Sequence, residues 1–242
     1  MKKKAVSNSR NKVLGVIPAR GGSKSIINKN IADLNRKPLI EYTIQHAKKS
    51  LLLDNFIVST DSVIIANIAK KSGALVPFIR PKELSNDKAE SIDVVIHALN
   101  FMENKKSIKY NYVVLLQPTN PFRSSSMIDK AIKLIQKSKF DSVVSVVDVG
   151  PNHPHRMYKM NKKNKIIPFV KNLKNPMMPR QNLPSVYIRS GDIYVTTREC
   201  VLNKKSLIGD SSYGLVVRPD STVNIDEPID LELAQLKIKK KF

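Results

Sequence analysis

Short apolar runs alternate along this chain with longer segments whose apolar positions recur at helical spacing. Val13, Leu14, Val16 and Ile17 form the first run, which stops at Pro18, where the ring removes a backbone donor. Residues 56–58, 75–79 and 113–116 repeat the signature, and 141–149 carries a VVSVV centre, apolar but for Ser145. Each reads as a buried strand. Helices are expected after Pro38, from 62 to a stop at Gly73, along RPKELSNDKAESIDVVIHAL, and over roughly 125–137. Repeated to residue 149, this order implies right-handed crossovers and a mostly parallel sheet with helices on both faces, an α/β fold.

The rhythm breaks over about 150–188, a proline-rich stretch read as an insertion of short strands and loops. Beyond it, 192–197 alternates as a strand, 200–213 reads as helix and loop, and 215–217 as another strand. An amphipathic helix starting at Asp230 ends the chain, and the trailing KIKKK is read as a solvated end. The cationic start, 1–11, lacks the apolar core of a signal peptide and is expected to be a disordered leader to a domain spanning 12–242. A chain of 242 residues can bury a sizeable core, and no run approaches the roughly 18 apolar residues of a membrane helix. A cytoplasmic protein is expected. The lone Cys200 excludes an internal disulfide.

The formal charge of +22 attracts anions, but its lysines are spread over helix faces and termini without an aromatic-interleaved platform. That favours anionic substrates over dedicated nucleic-acid binding. The chemistry is densest just after the first strand, in Arg20, Gly21, Gly22, Ser23, Lys24, Lys29 and Asn30. Ligands of open α/β sheets sit at such a strand end, and close backbone approach with fixed cations suits a triphosphate. The spacing is neither GxxxxGK[ST] nor GxGxxG, and on composition alone a glycine turn with solvated lysines is an equal reading. Asp61 is read as the N-cap of the following helix, and His46 and His97 as packing residues. His153 and His155 form an H-x-H without a third ligand. At the end of the 113–116 strand, Gln117 can present a fixed amide to a sugar hydroxyl or a base edge. Asn224 and Asp226 alternate on one face, and beside a triphosphate they suit Mg²⁺.

PARGGSK followed by Lys29, Asn30 and Ile31, then LLQPTNPFR, PRQNLP and NIDEP in that order, resembles the acylneuraminate cytidylyltransferase family, which includes the CMP-legionaminate and CMP-pseudaminate synthases. The resemblance runs from Val13 to Gln235. It implies a Rossmann-like nucleotidyltransferase fold with a small inserted dimerisation subdomain, and a reaction in which CTP activates a nine-carbon acidic sugar to CMP-sugar and pyrophosphate. Arg20 and Lys29 are then the catalytic candidates at the phosphates, joined in the nucleotide site by Gly22, Ser23, Lys24 and Asn30, with Arg80 near the cytosine. Gln117, Arg156 and Arg180 are implied for the sugar, Arg180 for its acid group. Asp226 and Asn224 are implied for Mg²⁺, with Asn224 standing where the family commonly has an acid. Ser190 and Asp192 replace the family's asparagine and alanine in NGAIY. A homodimer is implied through the 150–188 insertion and the segment near Leu207. QPTNP, in place of an acidic turn, argues for the sialic-acid branch. A CTP-dependent transferase for another acceptor, such as 3-deoxy-octulosonate, and a non-enzymatic basic nucleic-acid-binding protein are the alternatives.

Overall fold

Both faces of the first strand are buried, and that decides the layering. The computed structural model describes residues 11–171 and 175–239, so residues 1–10 of the expected leader at 1–11 and the terminal residues 240–242 lie outside the described residues. In β1 (Val13–Pro18), Val13 and Ile17 join one apolar cluster while Leu14 and Val16 join another, as period-two alternation requires of a strand between two layers. α1 (Leu39–Lys49), β2 (Asn55–Ser59), α2 (Val63–Lys71), α3 (Ser91–Lys106), β3 (Tyr112–Leu115), α4 (Ser125–Lys137) and β4 (Ser142–Asp148) follow. The helices divide between the faces. Ile44 of α1, Ile65 of α2 and Ile132 of α4 pack on one side, and Leu99 and Met102 of α3 on the other.

Local chemistry explains the elements. In α4 the buried Ile128, Ala131, Ile132 and Ile135 recur every three or four residues, and the Ser124 side chain accepts from the Met127 N–H at 3.1 Å. α2 is capped in the same way by Ser62, which accepts from the Ile65 N–H at 3.4 Å. The cap is therefore Ser62 and not the expected Asp61, whose carboxylate is turned toward the loop after β1.

After β4 come a small antiparallel pair, β5 (Tyr158–Met160) and β6 (Ile166–Pro168), then β7 (Tyr187–Thr197), α5 (Arg198–Leu202), β8 (Ser212–Val216) and α6 (Pro228–Lys239). The six-stranded sheet has the order β2-β1-β3-β7-β4-β8. It is mostly parallel, as predicted, but β7 runs antiparallel to both neighbours. The expected strand at 75–79 shrinks to a bridge between Leu75 and Ile57, because Pro77 has no N–H with which to extend the ladder. β7 in turn begins earlier than the expected 192, pairing Tyr187, Ile188 and Arg189 with β4 beyond a register shift between Val144 and Val146.

A third apolar cluster places the C-terminal arm. Val223, Ile225, Ala234 and Ile238 pack with Leu34 and Leu39, so the 222–227 segment lies beside the loop that follows β1. It is extended there without pairing as a strand. Asp230 accepts from the N–H groups of Asp226 and Glu227 at 3.0 and 2.8 Å, which makes it the helix N-terminal charge the sequence suggests. Ile132 is fully buried between α4 and the sheet. Ile132→Ala is expected to lower unfolding stability by ~2–5 kcal/mol, read as a shift in the urea midpoint at unchanged slope.

Candidate active site

Segment 19–31 leaves the sheet at the carboxyl end of β1, and three polar contacts fix its path. The Ala19 N–H donates to the Ser59 carbonyl, the Gly21 N–H to Asp61 Oδ1, and the Asn30 amide to the Arg20 carbonyl, each at 2.9 Å. A Cβ on Gly21 would stand 3.2 Å from the Cβ of Ser62, so glycine lets the loop lie against the end of β2.

The loop's cations are held by carboxylates from two distant segments. Arg20 Nη1 lies 2.9 Å from Asp87 Oδ1 and Lys24 Nζ lies 2.5 Å from Asp87 Oδ2. Lys24 first and then Arg20 hold the Asp87 carboxyl below its usual range. Lys29 donates to Asp226 Oδ1 at 3.0 Å and to the Ile225 carbonyl at 3.2 Å, which ties the loop to the C-terminal arm. Ser25 donates to the Asp226 carbonyl on the same side. Arg80 is buried, and burial pulls its pKa down while Asp61, 3.8 Å away, opposes that shift.

Between these groups opens a cavity of about 270 Å³ lined by Arg20, Ser23, Lys29, Asn30, Arg80 and Gln117, among others. A second chamber of about 410 Å³ is lined by Gln117, Ile188, Arg189, Ser190, Tyr194 and Asn224, among others. Ser91 and Gln117 line both, so the two form one groove.

Gln117 is set at this junction by buried polar groups below it. The Arg123 guanidinium donates to the Gln117 carbonyl, and Ile225 N–H donates to the carbonyl of Thr119 at 2.8 Å. Gly191 adopts φ +80°, and a Cβ there would come 2.8 Å from Asn120 Nδ2 and 3.3 Å from Gln117 Oε1. Only glycine leaves both amides their room. Arg123 is fully buried, and desolvation pushes its pKa down to about 10 against the opposing field of Asp192. Burial likewise raises the Asp192 carboxyl, opposed by the hydroxyls of Ser190 and Thr222, the latter donating at 2.8 Å.

The structure thus brings Arg20, Ser23, Lys29, Asn30, Arg80 and Gln117 to one cavity, with Gly22 and Lys24 on the same loop and Asn224 and Asp226 beside it. Arg156 and Arg180 are placed elsewhere in this chain. Arg180 lines a separate cleft of about 230 Å³ with Asp148, His153 and Pro184, and Arg156 is exposed on a short turn. Both nitrogens of His153 are engaged, Nε2 with the Pro184 carbonyl at 2.9 Å and Nδ1 with the His155 N–H at 3.1 Å, which removes the H-x-H as a metal pair. Asn224 is a poor metal ligand here, because its oxygen accepts from Asn120 at 3.1 Å while its nitrogen donates to Asp226. The Asp226 carboxylate offers an anionic oxygen at the loop beside Lys29, and one carboxylate is within what Mg²⁺ takes alongside nucleotide phosphates and waters. Asp87, Arg123, Asp192 and Arg189 were not signalled as site residues by local sequence, although Arg123 closes the LLQPTNPFR motif and Asp192 stands where the family has an alanine.

The fold and a cation-lined groove at the strand ends define a nucleotidyltransferase-type α/β protein. A solved CMP:2-keto-3-deoxy-manno-octonic acid synthetase, complexed with CTP, has a similar fold, with a TM-score of 0.71 at 16% identity over 96% of this chain and 100% of that one. Residues 14–201 match the profile of the cytidylyltransferase family, and the chain belongs to that family. It is 34% identical to the CMP-N,N'-diacetyllegionaminic acid synthase of Legionella pneumophila over 93% of this chain and 95% of that protein. It is also 34% identical to the pseudaminic acid cytidylyltransferase of Campylobacter jejuni, covering 94% of this chain and 97% of that one. Identity to the N-acylneuraminate cytidylyltransferase of Escherichia coli is 35% over 96% of this chain, which spans 53% of that protein's length.

Asp87 occupies two cations that a polyphosphate would also claim. Asp87→Asn is expected to tighten binding of inorganic tripolyphosphate about 2- to 5-fold at low ionic strength, measured by calorimetry, with the gain shrinking as salt is added.

Proposed function

We propose that the groove transfers a cytidylyl group from CTP to a hydroxyl of a nine-carbon acidic sugar, giving a CMP-sugar and pyrophosphate. The observation that carries this reading is the sharing of Gln117 between a cation-lined chamber and a second, mostly neutral one. The names of the relatives supply the acceptor class: N-acylneuraminate, diacetyllegionaminate and pseudaminate are all acidic sugars handled by proteins alike over nearly this whole chain. The full activity of the E. coli relative, which is about twice as long, is not carried over.

The anomeric hydroxyl attacks the α-phosphorus and gives up its proton to solvent water, the new O–P bond forms as the bond to the bridging oxygen breaks, and pyrophosphate departs with that electron pair. Arg20 and Lys24 exchange Asp87 for phosphate oxygens as the triphosphate enters. Together with Lys29 they offset the charge that grows on the leaving group. Lys29 spends its protons on Ile225 and Asp226, so it serves as a cation and an anchor. Arg80, desolvated and held at the cavity wall, faces the base end. Asp226 would hold Mg²⁺ with the phosphates, and the ion would supply further charge neutralisation there.

Exposed Tyr158, Met160, Ile166, Ile167 and Phe169 cluster on the β5–β6 pair and the residue after it. They suit a second copy of the chain, which supports a homodimer. The reading places the work in the cytoplasm, where CTP is available. Among the described residues no helix is long and apolar enough to cross a membrane.

Pyrophosphate release with CTP and each of the three acidic sugars tests the proposal. Turnover is expected with at least one acid, to be lost with EDTA and restored by Mg²⁺. Arg20→Ala is expected to lower kcat about 10²- to 10³-fold with the fold retained by circular dichroism. Turnover unaffected by Arg20→Ala, or none with any acid, would overturn the reading.

A further inference from the structure

The residues that leave β2 hold two walls of the cation-lined cavity at once. The Ser59 carbonyl accepts from the Ala19 N–H at 2.9 Å, and the Thr60 carbonyl accepts from the Arg80 N–H at 2.7 Å. Two consecutive carbonyls thus fix the start of the loop after β1 and the backbone of Arg80. The next side chain reaches the same two places. Asp61 Oδ1 accepts from the Gly21 N–H at 2.9 Å, and the same oxygen lies 3.8 Å from Arg80 Nη2. A carboxylate oxygen has the lone pairs to serve both.

Asp61 is free for this because Ser62 caps α2. Arg20 and Arg80 line the cavity and Asp61 does not, so its carboxylate acts on the wall. Asp87 differs, being exposed and seated on cations that a polyphosphate would claim. Arg80 needs such a counter-charge. Burial works against its guanidinium charge, Asp61 supports it, and Arg20 adds to the opposition. Ser85 Oγ, 3.2 Å from Arg80 Nε, is a neutral contact. Among the described residues no other carboxylate lies within ion-pair distance of this guanidinium.

We infer that Asp61 is a positioning residue that couples the two ends of the nucleotide site, one oxygen setting both the phosphate-side loop and the base-side arginine, an inference that rests on the transfer reading above. Removing it should weaken the hold on both halves of CTP and leave the acceptor untouched.

The test uses the full chain, Asp61→Ala and Asp61→Asn, with calorimetry of two probes that each carry half of the nucleotide, inorganic tripolyphosphate and cytidine. Enough salt is present to screen the general gain in anion attraction when a negative charge is removed. Asp61→Ala is expected to weaken both probes about 5- to 20-fold and to raise the KM for CTP about 10- to 100-fold, with the KM for the acid unchanged. Asp61→Asn keeps an oxygen for the Gly21 N–H and loses the charge facing Arg80. It should recover tripolyphosphate binding and leave cytidine binding weak, a split that a general loss of packing would not produce. Weakening of one probe alone by Asp61→Ala, or of neither, would overturn the coupling. Should Asp61→Ala not fold, wild-type cytidine binding in Asp61→Asn would overturn it. The transfer reading is judged separately. Binding of both probes that depends on Asp61, without pyrophosphate release, would overturn the reaction and support the coupling, whereas turnover with a wild-type KM for CTP in Asp61→Ala would overturn the coupling alone.

Discussion

Lys29 joins two parts of the chain that are almost two hundred residues apart, and the groove exists because of that junction. Its ammonium donates to the Ile225 carbonyl and the Asp226 carboxylate, while Ser25 reaches the Asp226 carbonyl from the same loop. Beneath it, Val223 and Ile225 are buried against Leu34 and Leu39. The apolar cluster supplies most of the favourable free energy, and the polar contacts set the register. A loop at a strand end becomes one wall of a cleft only when a second wall is docked against it.

Charge is arranged on the same plan. A net charge of +22 draws anions toward the whole surface, but within the groove the cations are not left bare. Asp87 sits on Arg20 and Lys24, so the site carries its own stand-in for the phosphate oxygens, while Asp226 stays on the largely buried Lys29 as part of the junction. Exposed pairs of this kind are weak, which suits contacts that must be exchanged for a ligand. Deeper in, Arg123 and Asp192 are costly buried charges whose mutual attraction offsets part of that cost, and the Arg123 guanidinium holds the Gln117 carbonyl.

Much of this was legible in the sequence where the signal is local. The 13–31 stretch declares itself because a buried strand, a proline stop, paired glycines and cations are adjacent, and the ends of α4 follow from serine capping and a three–four repeat. What was not legible depends on pairing at a distance. Asp61 and Ser62 are both good caps, and contact with Gly21 decided between them. Residues 75–79 have strand composition, but Pro77 spoils the ladder. The direction of β7 comes from its antiparallel pairing with β3 and β4, and its length from pairing that resumes beyond the extra residues between Arg189 and Tyr194. That pairing also puts Arg189 into the groove and leaves Arg180 outside it, which no spacing within PRQNLP could reveal.

A crystal structure of the full chain with CTP, Mg²⁺ and the acidic sugar, or a non-reacting analogue of the pair, tests the central claim most directly. The account predicts the triphosphate on Arg20, Lys24 and Lys29 with Asp87 displaced, and the sugar in the chamber beyond Gln117. A nucleotide bound elsewhere, with Asp87 still seated on Arg20 and Lys24, would contradict it.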